Sequence, residues 1–255
     1  MTQQERREYL IRALLEDRGE KGAMLPLGER EQRRLLRALF NVRPPGPAAQ
    51  NFLEVQNAYL QQVIQEKGIT DAETLPVLHD CLSLWQGDIT TLRCDAVVNA
   101  ANSSLLGCFQ PNHGCIDNAI HTFAGVQLRL ACAELMEGRQ KEQPGGAQIT
   151  PGFNLPAHRI LHTVGPVVHG PLTERHKRML ASCYTSCLEL ARKHGVHTLA
   201  FCCISTGVFC FPPEDAARIA LDAVTAYLAA SAASIKVIFN VFGNRDAEIY
   251  RRLLG

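Results

Sequence analysis

Two thiols and an imidazole fall within eight residues in the stretch NAANSSLLGCFQPNHGCIDNAIH, residues 99–121. Four residues separate Cys108 from His113, and one separates His113 from Cys115. Pro111 and Gly114 make the segment a compact loop. Thiolate and imidazole are good zinc ligands, and three protein ligands leave a fourth position open. The same spacing also fits a polar loop carrying two unrelated thiols. It is not a zinc-finger spacing, because no second Cys pair follows closely. It lacks the His-x-Glu and Pro-Cys-x-x-Cys of a zinc deaminase, and no His-Glu-x-x-His marks a zincin protease.

Asp117 and His121 follow, four apart where a helix should begin, and so share a face. The helix dipole favours an Asp in the first turn and keeps it ionised. Such an Asp is either a cap or a functional carboxylate beside the loop. Upstream, Asn99 and Asn102 carry amides that donate and accept, which suits the vicinal hydroxyls of a sugar. They also suit backbone at a turn. Asp88 in QGDIT offers an acceptor to an amino group such as that of adenine, or caps its own turn. In STGVFCFPPED, the small Ser205, Thr206 and Gly207 let backbone N–H groups approach a ligand. Pro212 and Pro213 sit where the next helix should start. Free N–H donors beside a helix N-terminus make an anion site. The segment lacks the Lys-Ser/Thr ending of a nucleotide triphosphatase loop. It reads either as a diphosphate cradle or as a plain strand-to-helix turn.

Elements must bring these segments together. VLHDCLSLW, DAVVNAA, RILHTVG, TLAFCCIS and IKVIFNVF are short β-type runs. Helical segments are expected between them at about 115–136, 173–194, 213–230 and 245–254. Strands alternating with helices imply a parallel or mixed sheet covered on both faces, with the ligand crevice beyond the carboxyl ends of the strands. Residues 1–70 read as a separate helical unit, with apolar pairs at Leu10/Ile11, Leu14/Leu15, Leu35/Leu36 and Leu39/Phe40. This unit contains no Cys or His, and its polar residues look mainly solvating. Its expected role is to pack on the next domain or cover the cleft. The division is thus 1–70, helical extension, and 71–255, the α/β domain.

The chain has 255 residues, a formal charge of +1 and 46% hydrophobic residues. Near-balanced charge and the absence of a Lys/Arg tail argue against a nucleic-acid partner. Apolar runs are too short for a membrane span. MTQQERREYL lacks the layout of a signal peptide. With ten Cys and no secretion signal, free thiols in the cytoplasm are expected rather than disulfides. Cys183, Cys187, Cys202 and Cys203 read as core thiols.

The order and spacing of LWQGDITTLRCDAVVNAANSSLLG, AIHTFAG, GGAQITPGFNLPAHRILHTVGP, ISTGVFCFPPEDAARIAL and VIFNVFGNRDAEIY resemble the macrodomain family over roughly residues 80–255. The resemblance implies an α/β fold, a three-layer α/β/α sandwich with a mixed central sheet, binding ADP-ribose. Here GCFQPNHGCID replaces the Gly-rich run of hydrolytic members, as in the zinc-containing microbial macrodomains, which also carry an N-terminal helical extension. By resemblance, Asp88 and Ile89 bind adenine, and Ser205, Thr206, Gly207, Val208 and Phe209 wrap the diphosphate and distal ribose. Phe242 faces the adenine side, and Asn99 and Asn102 meet the ribose. Asp117 matches the hydrolytic Asp, acting with Asn102, and zinc sits on Cys108, His113 and Cys115. The implied activity is zinc-dependent release of mono-ADP-ribose from modified protein side chains. A reader module that binds ADP-ribose without chemistry, or a deacetylase of O-acetyl-ADP-ribose, is the alternative. The implied partner is an ADP-ribosylated protein, by family context a lipoyl carrier protein modified by a sirtuin-like transferase.

Overall fold

The computed structural model describes residues 1–231 and 234–255. The apolar pairs of the N-terminal segment become three helices: α1 (Gln3–Asp17), α2 (Glu29–Val42) and α3 (Gln50–Lys67). Thr2 and Glu5 form a reciprocal capping box at the start of α1. Gly68 stops α3 at φ 87°, a backbone angle that suits glycine. Leu10, Ile11, Leu14, Leu36 and Leu60 meet in a core of their own, where each buried side chain contributes about 1.5–3 kcal/mol. Val126 and Phe123 join that core from the rest of the chain. Arg7, Gln32, Asn41 and Gln56 are buried too, so the polar residues of these helices are not simply solvating. Gln56 accepts from the Val126 N–H at 3.0 Å.

The remaining strands and helices follow in chain order. β1 (Thr70–Asp71), β2 (Leu82–Gln86), β3 (Leu92–Arg93) and β4 (Ala96–Ala100) come first, then α4 (Ile116–Ala124) and α5 (Val126–Met136). β5 (Ala147–Pro151), β6 (Arg159–Thr163), α6 (Glu174–Lys193), β7 (Thr198–Phe201), α7 (Pro213–Ala230), β8 (Lys236–Val241) and α8 (Asn244–Leu254) complete the chain. Six strands form one sheet in the order β2-β8-β7-β4-β6-β5. Every neighbouring pair is parallel except β5 with β6. β1 and β3 form a separate two-residue ladder. The helices flank the sheet: α6 packs on α7 and α7 on α8, whereas α4 touches α5, β4, α2 and α3. Val97, Val98, Ile160, Leu161, Leu199 and Ile238 are fully buried between these layers, as expected of parallel strands covered on both faces. The expected α/β layering with a mixed sheet is what the chain adopts.

Several boundaries differ from expectation. The helix expected over 115–136 is two helices, because Gly125 takes φ 97° and breaks it. The strand expected over 77–85 narrows to β2, since Asp80 turns the backbone at φ 43°. β7 ends at Phe201, and the CCIS that follows leaves the sheet. β5 has no counterpart among the expected strands; AQITP follows two glycines and ends in proline, and pairing with β6 decides its conformation. Among the described residues, no helix is long and apolar enough to cross a membrane.

Candidate active site

The carboxyl end of β7 leads into the STGVF turn, which is held through its carbonyls. Phe211 N–H donates to Ser205 O at 3.0 Å, Cys210 N–H to Gly207 O at 3.0 Å and Val168 N–H to Phe209 O at 2.9 Å. Among the described residues, no protein acceptor meets the N–H groups of residues 205–209. Ser205 adopts φ 66°, and its buried hydroxyl has no protein partner. Buried polar groups are nearly always satisfied, and an anion at the turn would supply the acceptor this one needs. A Cβ on Gly165 would come within 2.0 Å of the Ser205 Oγ, so glycine leaves room for that hydroxyl in its present position.

This turn forms one wall of a cleft of about 310 Å³, with Phe242 and Asp246 beside it and Gly114, Cys115 and Ile116 opposite. Phe242 is 80% exposed and Val208 66%. Neither belongs to the core, and both present apolar surface at the rim, suited to a flat ring.

The opposite wall continues into the Cys-His-Cys loop. One donor atom each from Cys108, His113 and Cys115 lies within 4.8 Å of the others, with Cys108 Sγ 3.6 Å from His113 Nδ1. All three side chains are half-buried. Burial pushes the Cys115 thiol up to about 11, with the Asn118 N–H opposing. A coordinated dication reverses that balance, because a metal-bound thiol gives up its proton. Two sulfurs and one imidazole nitrogen in this arrangement fit zinc. Leu105 and Asn112 hold left-handed φ values of 58° and 55°, a conformation that persists only where surrounding contacts impose it. Gly107 at φ 79° lies so close to His121 that a Cβ would meet the imidazole at 2.7 Å.

Cys115, not Asp117, caps α4: its Sγ accepts from the Asn118 N–H at 3.4 Å. Asp117 instead turns inward. Its Oδ1 accepts from Asn99 Nδ2 at 2.8 Å and its Oδ2 from Asn102 Nδ2 at 3.4 Å. Burial pushes its carboxyl up to about 6, outweighing the Asn99 bond and the Arg129 charge. At that value the group is still mostly ionised near neutral pH, but removal from water, not the helix end, is the larger influence on it.

His121 Nε2 lies 3.6 Å from Asp117 Oδ1, and neither ring nitrogen has a hydrogen-bond partner. Burial, with His162 and Arg129 nearby, holds its pKa well below the usual value, so the ring is neutral. His121, Cys132 and His162 make a second cluster of donor atoms within 4.8 Å. His162 Nδ1 faces the Asn99 amide donor at 3.2 Å, so its proton sits on Nε2 and is directed at Thr150 Oγ1, 2.9 Å away. That leaves Nε2 without a free lone pair. His162, tied to Asn99 and Thr150, thus supports Asp117 through the Asn99 amide, while His121 stands outside that network with both ring nitrogens unpartnered.

The structure thus brings Asn99, Asn102, Asp117 and the three metal-type side chains into one neighbourhood. It sets Ser205, Thr206, Gly207, Val208, Phe209 and Phe242 around the cleft. Asn102 is also tied to the loop, donating to Gly107 O at 3.0 Å and accepting from the Ser104 N–H at 3.0 Å. Asp88 and Ile89 lie outside the cleft lining. Asp88 caps the short turn Ile89–Thr91 and pairs with Lys67 of α3 at 2.7 Å, while Ile89 is buried. Cys183, Cys187 and Cys202 are buried thiols as expected, but Cys203 is only partly buried, and both Cys202 and Cys203 border the cleft. Sequence reasoning missed Gly165, Asn240 and Asp246 in the lining and Arg129 behind Asp117. Asp246 follows the last strand in FGNRD, the position at which strand-end ligands were sought in the other segments.

Comparisons with known proteins fit this geometry. Residues 98–220 match the family model described as Macro domain. A protein of Treponema medium named protein-ADP-ribose hydrolase is 51% identical over the whole of both chains. One of the same name from Staphylococcus aureus is 47% identical over 96% of this chain and 94% of its own. The Oceanobacillus iheyensis macrodomain with ADP covers 71% of this chain and 94% of its own, at 36% identity and a TM-score of 0.63. The Trypanosoma brucei macrodomain in complex with ADP-ribose covers 86% of this chain and 95% of its own, at 30% identity and a TM-score of 0.65. Matched from end to end by such relatives, this chain belongs to the macro domain family.

Proposed function

We propose that this chain is a protein-ADP-ribose hydrolase whose turnover depends on zinc held by Cys108, His113 and Cys115. The observation that carries the reading is the double place of Cys115. It belongs to the donor cluster and also lines the cleft that residues 205–209 border. Full-length relatives named for this activity support the hydrolase; zinc is supported by the donor set. Water attacks the anomeric carbon of the distal ribose, the bond from that carbon to the protein side chain breaks, and the side chain leaves with a proton. Free ADP-ribose and unmodified protein result.

The turn binds the diphosphate through its N–H groups and the Ser205 hydroxyl. Val208 and Phe209 wrap the distal ribose, Phe242 faces the adenine side, and Asp88 and Ile89 receive the adenine. Asn102 steadies both the loop and Asp117. Asn99, fully buried, orients the Asp117 carboxylate, which positions the attacking water and takes its proton. Cys108, His113 and Cys115 would hold a zinc ion, which would supply Lewis-acid polarisation beside the cleft. The modified partner we propose, a lipoyl carrier protein, rests on the family resemblance alone. Ten free cysteines accord with a cytoplasmic setting.

The test is incubation with proteins ADP-ribosylated at defined side chains, with and without a chelator, following free ADP-ribose. Release that stops on chelation and returns with zinc supports the reading. Binding of ADP-ribose with no release from any modified protein would show a reader instead.

A further inference from the structure

α2 grips the backbone of the metal loop at its imidazole. Arg37 Nη2 donates to His113 O at 3.0 Å and to Asn118 Oδ1 at 2.8 Å, and its Nε reaches the same Asn118 oxygen at 3.2 Å. Asn118 passes the contact on, donating from Nδ2 to Gln110 O at 3.0 Å and from its N–H to Cys115 Sγ. One turn along α2, Asn41 is 1% exposed and accepts from the Asn112 N–H at 2.9 Å. It also donates to Thr122 Oγ1 at 3.0 Å. Asn112 is one of the residues held at positive φ. From the other side, Arg129 donates to Leu106 O at 2.7 Å and to the carbonyls of Phe40 and Arg43 at the end of α2. The N–H immediately before His113 and the carbonyl of His113 itself are therefore both fixed by α2.

We infer that α2 is a positioning element for the metal site, with Arg37 and Asn41 holding the His113 imidazole against the two thiols. The N-terminal helices then set the affinity for zinc. This rests on the zinc reading above. The donor atoms come from a loop with two residues in left-handed conformation, which without these clamps relaxes to more open forms. Groups that orient metal ligands from outside typically contribute 10- to 100-fold in metal affinity. A grip that served stability alone would lower the melting temperature of the metal-free protein and leave zinc affinity unchanged.

The experiment strips metal from the full chain and titrates Zn2+ in competition with a chromogenic chelator. It compares wild type with Arg37→Ala, Arg37→Lys and the exposed Arg34→Ala on the same helix. Far-UV spectra, and binding of ADP to the metal-free proteins, monitor the fold and the distant turn. Arg37→Ala is expected to bind zinc about 10- to 100-fold more weakly with ADP affinity unchanged. Arg37→Lys should recover part of that loss, and Arg34→Ala should match wild type. If Arg37→Ala fails to fold, Arg37→Gln, which keeps a donor without the charge, takes its place with a smaller expected loss. A folded Arg37 variant that binds zinc as tightly as wild type overturns the inference and leaves the zinc reading standing. Wild type that takes up no zinc overturns both.

Discussion

The turn at 205–209 hangs from the end of β7 and is closed largely by bonds among its own residues, Phe211 to Ser205 and Cys210 to Gly207. The loop carrying Cys108, His113 and Cys115 is held by α2 side chains that lie 76 and 81 residues away along the chain from the groups they bind. One wall of the cleft is a local device at a strand end. The other is a long loop shaped by a separate helical unit. Backbone N–H groups need only a turn to converge on an anion. Three side-chain donors must meet within a few ångströms, and a loop with left-handed residues cannot arrange that without outside contacts. Binding and bond cleavage are accordingly expected to fail separately, one wall at a time.

The largest effect should come from the metal-loop wall. Asp117→Ala is expected to lower release of ADP-ribose by about 10²- to 10⁴-fold, the usual contribution of a general base. Zinc content and ADP-ribose affinity should stay near wild type. Wild-type turnover in this variant would reduce Asp117 to a structural partner of Asn99.

Next comes the metal. Cys108→Ala should lose most of its zinc by elemental analysis and turnover with it, whereas Cys183→Ala, buried in α6 and outside the loop's donor set, should keep both. Equal zinc in the two variants would show that the ligand set is wrong.

On the turn wall, Gly165→Ala places a methyl 2.0 Å from the Ser205 Oγ and must displace that side chain. Overpacking of this kind costs about 1–3 kcal/mol. Calorimetry should show ADP-ribose bound about tenfold more weakly or worse, as each 1.4 kcal/mol is a factor of ten. Zinc content should not change. Parallel loss of zinc would mean that the two walls are mechanically one.

The smallest effect is expected at Asp88. Its carboxylate already pairs with Lys67 and accepts from Thr90, so adenine shares an acceptor in use. Asp88→Ala should weaken ADP-ribose binding by about tenfold, the low end for a charge-assisted hydrogen bond. Unchanged affinity would remove Asp88 from the site.

The same contrast explains what the sequence revealed. Five of the six strands of the sheet were legible, because each is a short apolar run ending in a turn signal. β5 was not, since its alternation spans only four residues between two glycines and a proline, and it is a strand by pairing with β6. The break at Gly125 was hidden inside a continuous helical pattern. In the site, Ser205–Gly207 and the Cys-His-Cys spacing were visible as local strings. The inward turn of Asp117 was not, because it depends on Cys115 taking the cap and on burial against Asn99. Arg37 and Asn41 looked like ordinary polar residues of a solvated helix. Only the docking of α2 on the loop gives them partners, and no local pattern encodes a contact across that length of chain.

His113→Ala tests the central claim most directly, with zinc content, ADP-ribose affinity and release from a modified protein measured on the same preparation. The account predicts that zinc is lost and release falls with it, while ADP-ribose still binds within tenfold of wild type, or about 1.4 kcal/mol. A variant that keeps its zinc, or that releases ADP-ribose at the wild-type rate without it, contradicts the account.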